Sequence, residues 1–319
     1  MRRSFLLMVC LCVTFSVYAQ THRYEFGFQS DNDSFLGSGS DRYYTNGLFV
    51  FLRHGLQIKP ADSLKVKNKV LGFELGQKIF NPISGSIPSR QMIDRPFAGY
   101  LYAGSSLNFL YANETNLKLS AQVGVIGPDA LGEEAQNVIH DTFGFYSLQG
   151  WEYQIENSFQ LNFAAEYNRL LARTNGADVT LNTYARLGTG FTGAAAGALI
   201  RLGDFNQLFN SVSTQSTAIN NRQFVPLEKR ELFFYIKPLL NYVVYDATIE
   251  GSLFKKHDEA GSQEVTLTHK PLVFMQQFGV AYGGSRWIVD LAATFSTKDV
   301  KEMSRAHQWG SATLLYRFN

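Results

Sequence analysis

The stretch that decides the fold is "NLKLSAQVGVIG", residues 116–127, in which apolar and polar side chains alternate. The apolar set is Leu117, Leu119, Ala121, Val123 and Val125, and the polar set is Lys118, Ser120 and Gln122. Side chains of a β-strand point to opposite faces in turn, so this period of two is typical of a strand with one apolar and one polar face. It predicts a strand that separates an apolar environment from a polar one.

The same alternation recurs along the chain, for example in "RWIVDLAATFS" (286–296) and in the C-terminal "GSATLLYRFN" (310–319). It predicts twelve strands, centred near Phe26, Phe49, Glu74, Ser106, Val123, Phe163, Tyr184, Ala196, Tyr235, Phe278, Ala292 and Thr313. An even number of strands of about ten residues is typical of a bacterial outer-membrane barrel. We expect an all-β fold, a twelve-stranded antiparallel transmembrane β-barrel. The alternative is a soluble exported β-sandwich.

The first residues have the pattern of a secretory signal. Arg2 and Arg3 precede an apolar run, and Val17-Tyr18-Ala19 supplies the small-residue cleavage site before Gln20. We therefore expect residues 1–19 to be a signal peptide and residues 20–319 to form the barrel domain.

Composition excludes several classes of function. Both cysteines, Cys10 and Cys12, lie in the expected signal, so disulfides and cysteine-ligated metal sites are excluded from residues 20–319. Without Arg2 and Arg3 the 29 basic residues fall to 27, which equals the 27 acidic residues. A neutral chain without a polybasic patch gives little support for nucleic-acid binding.

Strand parity assigns the connections to two sides of the membrane. With an even strand count both termini lie on the periplasmic side, so the connections from odd to even strands face outside. These are residues 31–42, 80–98, 127–153, 188–193, 247–269 and 297–306. Two stretches, 54–67 and 204–229, are longer than periplasmic turns usually are.

The first outward connection, "DNDSFLGSGSDRYYTNG" (31–47), is rich in oxygen donors, including Asn32, Asp33 and Thr45. Calcium takes carboxylate, amide and hydroxyl oxygens, so these residues are candidate ligands. The alternative is ordinary turn chemistry, because Asn, Asp, Ser and Gly dominate turns.

The third outward connection, "GPDALGEEAQNVIHDTFG" (127–144), predicts one short helix. Pro128 and Asp129 can begin it and Gly144 can end it. His140 lies on one face with Glu133 and Gln136, and could serve as a general base. The alternative is a histidine that caps the helix.

The second outward connection contains "DRPFAG" (94–99). Arg95 at the outer rim could bind a phosphate through two parallel hydrogen bonds. The alternative is a salt bridge to Asp94 or Asp41.

The order of these motifs, followed by "QGWEYQ" and the terminal "HQWGSATLLYRF", resembles the outer-membrane lipid A 3'-O-deacylase family over nearly the whole of residues 20–319. The resemblance implies a Gram-negative outer-membrane enzyme that hydrolyses the 3'-linked acyl chains of lipid A in lipopolysaccharide, with its active site facing outside. It implies that His140 activates water and that Ca²⁺ stabilises the oxyanion. Carried over by motif, Asn32, Asp33 and Thr45 belong to the active site, and Arg95 contacts the substrate.

The chain departs from the family pattern at two places. An acidic residue is expected between the histidine and the Gly-Trp pair, where this chain has "GFYSL" (144–148). Glu133, Asp141 and Glu152 are the candidate substitutes. The family's active-site lysine has no assigned counterpart here, since Asp94 stands just before Arg95. An esterase for another lipid and an inactive barrel therefore remain as alternatives, and the sequence does not give the oligomeric state.

Overall fold

The computed structural model describes residues 22–37, 41–59, 65–220, 224–255 and 261–319. The expected signal peptide, residues 1–19, lies outside the described residues. Among the residues described, no helix is both long enough and apolar enough to cross a membrane.

Twelve strands form one closed antiparallel barrel in which each strand pairs with its neighbours in sequence. The last strand closes the barrel on the first, with Tyr24 opposite Phe318. Each of the twelve predicted centres falls in a different strand, so the predicted barrel is confirmed. The strands are β1 (Tyr24–Asn32), β2 (Tyr43–Gly55), β3 (Val66–Asn81), β4 (Ala98–Tyr111), β5 (Thr115–Ile126), β6 (Ser158–Thr174), β7 (Ala177–Gly188), β8 (Phe191–Asp204), β9 (Glu231–Asp246), β10 (Leu272–Gly283), β11 (Trp287–Ser296) and β12 (His307–Phe318).

The barrel is apolar outside and polar inside, as the alternation predicts. Large apolar side chains are exposed on the outer wall, among them Phe26, Phe28, Leu48, Leu75, Val123, Phe163 and Leu291. Polar and charged side chains line the lumen, including Glu74, Lys118, Gln122, Arg186 and Lys237. This distribution of polar and apolar side chains is the reverse of that in a water-soluble protein, and it suits a barrel wall that faces lipid.

The two ends of the barrel differ in the length of their connections. We call the end that carries the odd-to-even connections the loop end, and the end that carries both termini the turn end. The chain reverses within residues 112–114 and 175–176 at the turn end, whereas the connection 127–157 at the loop end holds a helix.

One long turn-end connection folds back into the barrel. Residues 205–219 contain two 3₁₀ turns, Leu208–Asn210 and Val212–Thr214, and much of the segment is buried. The side chains of Asn68 and Asn108 donate to the carbonyls of Ser216 (2.6 Å) and Thr214 (2.9 Å). This plug accounts for the unexpected length of the connection after β8. The lumen above it keeps polar cavities of about 350 and 300 Å³.

The predicted helix is present as α1 (Gly132–Phe143), and it ends at Gly144 as expected. It begins four residues later than predicted. Pro128–Ala130 form a separate 3₁₀ turn, because the Ala130 carbonyl accepts from the Gln77 side chain (2.7 Å) and Leu131 has a left-handed φ of 56°. A further single helical turn, α2 (Ala247–Glu250), lies in the connection after β9.

A buried layer of loop residues positions α1 over β3 and β4. Its core contains Ile79, Ile87, Phe97 and Trp151, with the Phe97 and Trp151 rings 5.1 Å apart. Gly99 of β4 allows close approach, since a Cβ there would lie 3.1 Å from the Ala130 Cβ. The layer holds one face of α1 toward the connection between β1 and β2.

Candidate functional site

Asn32 and Asp33 lie where β1 ends and a short 3₁₀ turn, Asp33–Leu36, begins. The Asn32 side-chain oxygen accepts from the Ser34 amide (2.7 Å), which caps this turn. Its side-chain nitrogen donates to Asn46 on β2 (2.5 Å), the residue directly opposite. Asn32 therefore holds the ends of both strands in register and orients the residue that follows it.

Asp33 is buried beneath the connection between β1 and β2. Its Oδ2 accepts from the Arg42 backbone N–H (3.2 Å), and its Oδ1 accepts from the Thr45 hydroxyl (3.3 Å). Burial raises the pKa of the Asp33 carboxyl to about 6, and the negative charge of Asp41 raises it further against the lowering effect of the Arg42 N–H. The Asp33 carboxyl group is therefore costly to ionise.

Asp41 brings a second carboxylate to the same hydroxyl. The Thr45 hydroxyl lies 3.4 Å from Asp41 Oδ1 and 3.3 Å from Asp33 Oδ1. Asp41 has a left-handed backbone φ of 45°, and Tyr43 two residues later has 63°. A bulky residue rarely adopts this conformation, and such strain clusters at functional sites.

His140 on the buried face of α1 points at this pair of carboxylates. Its Nδ1 lies 2.7 Å from the Tyr146 carbonyl oxygen and its Nε2 lies 3.1 Å from Asp41 Oδ2. A carbonyl only accepts, so Nδ1 carries a proton and the lone pair of the neutral ring is on Nε2. The ring therefore turns its basic nitrogen toward the acidic cluster.

The carboxylate beside His140 is Asp41, which differs from all three candidates from the sequence. Glu133, Asp141 and Glu152 were predicted as substitutes, but the two ring nitrogens contact Tyr146 and Asp41. Tyr146 stands in the segment where the acidic residue was expected, and its hydroxyl donates to Asp41 Oδ2. Burial and the bond to Asp41 raise the pKa of the Tyr146 hydroxyl, so it stays protonated as a donor.

Arg95 is buried at the loop end. Its guanidinium contacts Asp299 (3.4 Å), the Thr248 hydroxyl (3.1 Å) and the Pro96 carbonyl (3.2 Å), and it stacks over the Phe80 ring. Arg95 therefore forms a salt bridge, as the alternative predicted, but its partner is Asp299 and not Asp94 or Asp41. Substrate contact by Arg95 stays a prediction.

Asp94, which precedes Arg95, joins three loops. It accepts from the Tyr43 hydroxyl (2.8 Å), the Ile83 N–H (2.9 Å) and the Ser304 N–H (3.0 Å). These bonds tie the connections after β1, β3 and β11 together. Asp94 therefore supports the architecture of the loop end.

The donor set suits a hard cation such as Ca²⁺. Oxygens of Asp33, Asp41 and Thr45 converge, whereas the Asn32 oxygen is turned to Ser34. Calcium prefers carboxylate and other oxygen ligands. A cation would compensate the cost of burying the Asp33 carboxylate, which is the main cause of its raised pKa, and its repulsion by Asp41. In the part of the chain that the structure describes, no three His, Cys, Asp or Glu side chains form a cluster able to hold a metal. Hydroxyl, amide or backbone oxygens would have to complete the set.

Comparison with known proteins shows which family the chain belongs to. The profile of the family described as "Outer membrane protein LpxR" matches residues 5–318. The solved structure of LpxR from Salmonella typhimurium is similar, with 20% identity and a TM-score of 0.73, covering 92% of this chain and 100% of that one. The β domain of the Bordetella autotransporter BrkA covers 94% of this chain and 100% of that one, at 10% identity and a TM-score of 0.46. No curated protein matches the sequence.

Proposed function

This chain belongs to the LpxR family of outer-membrane proteins, and from that membership we propose that it hydrolyses the 3'-linked acyl esters of lipid A. The loop end faces outside, where lipopolysaccharide presents its lipid A in the outer leaflet. The observation that carries the proposal is the contact of His140 Nε2 with the Asp41 carboxylate, beside Thr45 and Asp33. Ester hydrolysis by water needs a base and positive charge for the developing oxyanion. His140 offers the base, and the oxygens of Asp33, Asp41 and Thr45 would hold a cation that supplies the charge.

His140 is the general base of the proposed reaction. Its Nδ1–H is held by the Tyr146 carbonyl, so Nε2 accepts the proton of a water molecule. The water oxygen bonds to the ester carbonyl carbon and forms a tetrahedral intermediate. When the intermediate collapses, the sugar alkoxide leaves with the proton from the imidazolium.

Asp41 has two roles in this scheme. Its Oδ2 contacts Nε2, so the carboxylate stabilises the imidazolium that forms when Nε2 takes a proton. Because the same oxygen covers Nε2, it has to move before water can reach the ring. The hydroxyls of Tyr146 and Thr45 already contact this carboxylate and hold it within the site.

Asp33, Asp41 and Thr45 are the residues that would hold Ca²⁺, with Asn32 shaping the turn that presents Asp33. When bound, the ion supplies positive charge that stabilises the oxyanion. The protein's own contribution is to bury Asp33, because burial makes its carboxylate costly as a free anion and favours a bound cation beside it.

Mass spectrometry of lipid A from cells with and without the gene tests the proposal. We expect lipid A that lacks 3'-acyl chains only where the gene is expressed. Unchanged lipid A would contradict it, and assay of the purified protein on phospholipid would then separate an esterase for another lipid from an inactive barrel.

A further inference from the structure

A row of aromatic side chains crosses four neighbouring strands at the turn end, and we call it the aromatic row. Its members, in order, are His54 of β2, Tyr24 of β1, Phe318 and Tyr316 of β12, and Trp287 of β11. The ring centroids of successive members lie between 4.5 and 6.4 Å apart. Tyr24 and Trp287 lie two and four residues before Phe26 and Leu291, which are exposed on the outer wall, so the row faces outward. Such a row is typical of the boundary between lipid and water.

Arg286 extends its guanidinium onto the aromatic row from the turn between β10 and β11. Its Nη1 donates to the Tyr316 hydroxyl (2.9 Å), and its guanidinium carbon lies 5.8 Å from the centroid of the Tyr316 ring. The Arg286 carbonyl accepts from the Arg317 N–H (2.8 Å), which fixes the turn against β12. A guanidinium has five N–H donors. Among the described residues, the Tyr316 hydroxyl accepts from one of them, so the others can bind a ligand.

The carboxylates that the structure describes at the turn end do not neutralise Arg286. Glu231 begins the strand that pairs with β10, but its carboxylate accepts from the Ser211 hydroxyl (2.7 Å) and from backbone N–H groups of the plug. Asp204 and Glu228 are exposed, and they belong to the end of β8 and to the connection that follows it. The positive charge of Arg286 is therefore available to an anion from outside the chain.

The surroundings of Arg286 fit a phospholipid headgroup. Trp287 is 51% exposed beside it, and the outer wall continues toward the middle of the barrel with Leu291 and Phe26, which are 54% and 48% exposed. Acyl chains that cover this wall bring their phosphates to the level of Arg286. A zwitterionic headgroup also carries an ammonium group, which needs a carboxylate partner, whereas an anionic headgroup needs only the guanidinium. The surface therefore suits an anionic phospholipid.

We infer that Arg286, Trp287 and Tyr316 bind the phosphate of an anionic phospholipid in the leaflet that meets the turn end. A guanidinium donates two parallel hydrogen bonds to a phosphate, and the indole N–H of Trp287 is a further donor. The inference is independent of the proposed reaction, because this site lies at the opposite end of the barrel from His140. A lipid held here fixes the depth of the barrel in the membrane.

The fluorescence of Trp287 reports which lipid lies beside it. Trp151 is buried and Trp309 lines the lumen, so quenchers on acyl chains act mainly on Trp287. The purified protein is placed in phosphatidylcholine vesicles that contain equal small fractions of either nitroxide-labelled phosphatidylglycerol or nitroxide-labelled phosphatidylcholine. We expect the labelled phosphatidylglycerol to associate with Trp287 about fivefold more strongly, as for one arginine at an anionic lipid surface. Equal quenching by the two lipids would overturn the inference.

Two variants test whether the preference depends on Arg286. Arg286→Gln should make quenching by the two lipids equal, whereas Arg169→Gln should keep the preference. Arg169 is the matched control, since it is an exposed arginine at the turn end of β6, five strands from β11. Folding is verified by the gel mobility of heated samples. A preference that survives in Arg286→Gln, or that disappears in Arg169→Gln, would refute the site.

Inorganic phosphate distinguishes the lipid from the free anion. At equal ionic strength, phosphate and chloride buffers should leave the same preference for labelled phosphatidylglycerol, because the bound lipid is also held by its acyl chains. Loss of the preference in phosphate but not in chloride would assign Arg286 to the free anion and contradict the lipid site.

Discussion

The two ends of the barrel both bury charged side chains, but they balance those charges differently. At the turn end, Asp178 binds the guanidinium of Arg201 through both oxygens (3.0 and 2.6 Å) and also contacts Arg173 (2.9 Å). At the loop end, Asp33 and Asp41 share one hydroxyl and repel each other. Opposite charges are matched at one end, and like charges are crowded at the other.

This difference suggests that the turn-end charges stabilise the fold, whereas the loop-end charges serve the proposed reaction. Arg201 also donates to Ser211 (2.8 Å) and to the Asn206 carbonyl (3.1 Å), so the turn-end charges fasten the plug to the wall. The carboxylates of the loop end lie close to each other, beside a backbone that is left-handed at the bulky Tyr43. Crowded acids beside such a backbone are expected where a cation and a substrate bind.

The largest expected effect is on catalysis at the loop end. If His140 is the base, His140→Ala should lower turnover by about 10²–10⁴-fold without lowering the thermal stability of the barrel. Acyl release is measured with folded wild-type and variant protein at equal concentration. A small loss of activity with a destabilised loop would instead indicate that His140 only secures the chain after α1.

At the turn end the same kind of change should act on stability. Asp178→Ala leaves the buried Arg201 without its bidentate partner, which costs about 3–5 kcal/mol. The unfolding temperature, followed by the gel mobility of heated samples, should fall sharply, while the turnover of the remaining folded protein should match wild type. If the folded variant lost turnover, the turn-end charges would act on catalysis as well as on stability, which would contradict the comparison.

The crowded carboxylates should make stability depend on pH. The Asp33 pKa is raised to about 6 in the folded chain from an ordinary value of 3.8, so between these values the folded state holds a proton that the unfolded state releases. Stability in chelator should therefore fall as pH rises from about 4 to 6, by up to about 3 kcal/mol. Asp33→Asn should remove this dependence, and an unchanged dependence in that variant would exclude Asp33 as its source.

The smallest effect concerns the partner of His140. Asp41→Asn keeps the size of the side chain and removes its charge, and we expect a loss of activity of about 10–100-fold, as for other groups that orient a catalytic residue. Asp141→Asn is the matched control, because Asp141 is the adjacent acid in the sequence but does not contact the ring nitrogens. Equal activity losses in the two variants would refute the assignment to Asp41.

The barrel was predictable because its signal is local and repeated. Apolar and polar side chains alternate within each strand, as in Leu117–Val125. Twelve such strands, an even number, predict a closed barrel. The plug after β8 has no such period. Its position depends on side chains such as Asn68 and Asn108, which come from strands more than a hundred residues earlier.

The site was predictable in part for the same reason. Motif order and helical spacing identified His140, Asp33 and Thr45, which the structure brings together around one cluster. The contact of Asp41 with His140 was missed because it forms only when distant segments of the chain fold together. Its bond to Tyr146 joins residues 105 positions apart, and its backbone conformation turns the carboxylate toward α1.

The central claim is that the loop-end cluster hydrolyses the 3'-acyl ester of lipid A with Ca²⁺ bound. The most direct test incubates the purified protein with lipid A in the presence of Ca²⁺ or excess chelator and locates the lost chains by tandem mass spectrometry. We expect loss of the 3'-linked acyl chains with Ca²⁺ and intact lipid A with chelator. Full activity in chelator, or loss of chains from another position, would contradict this account.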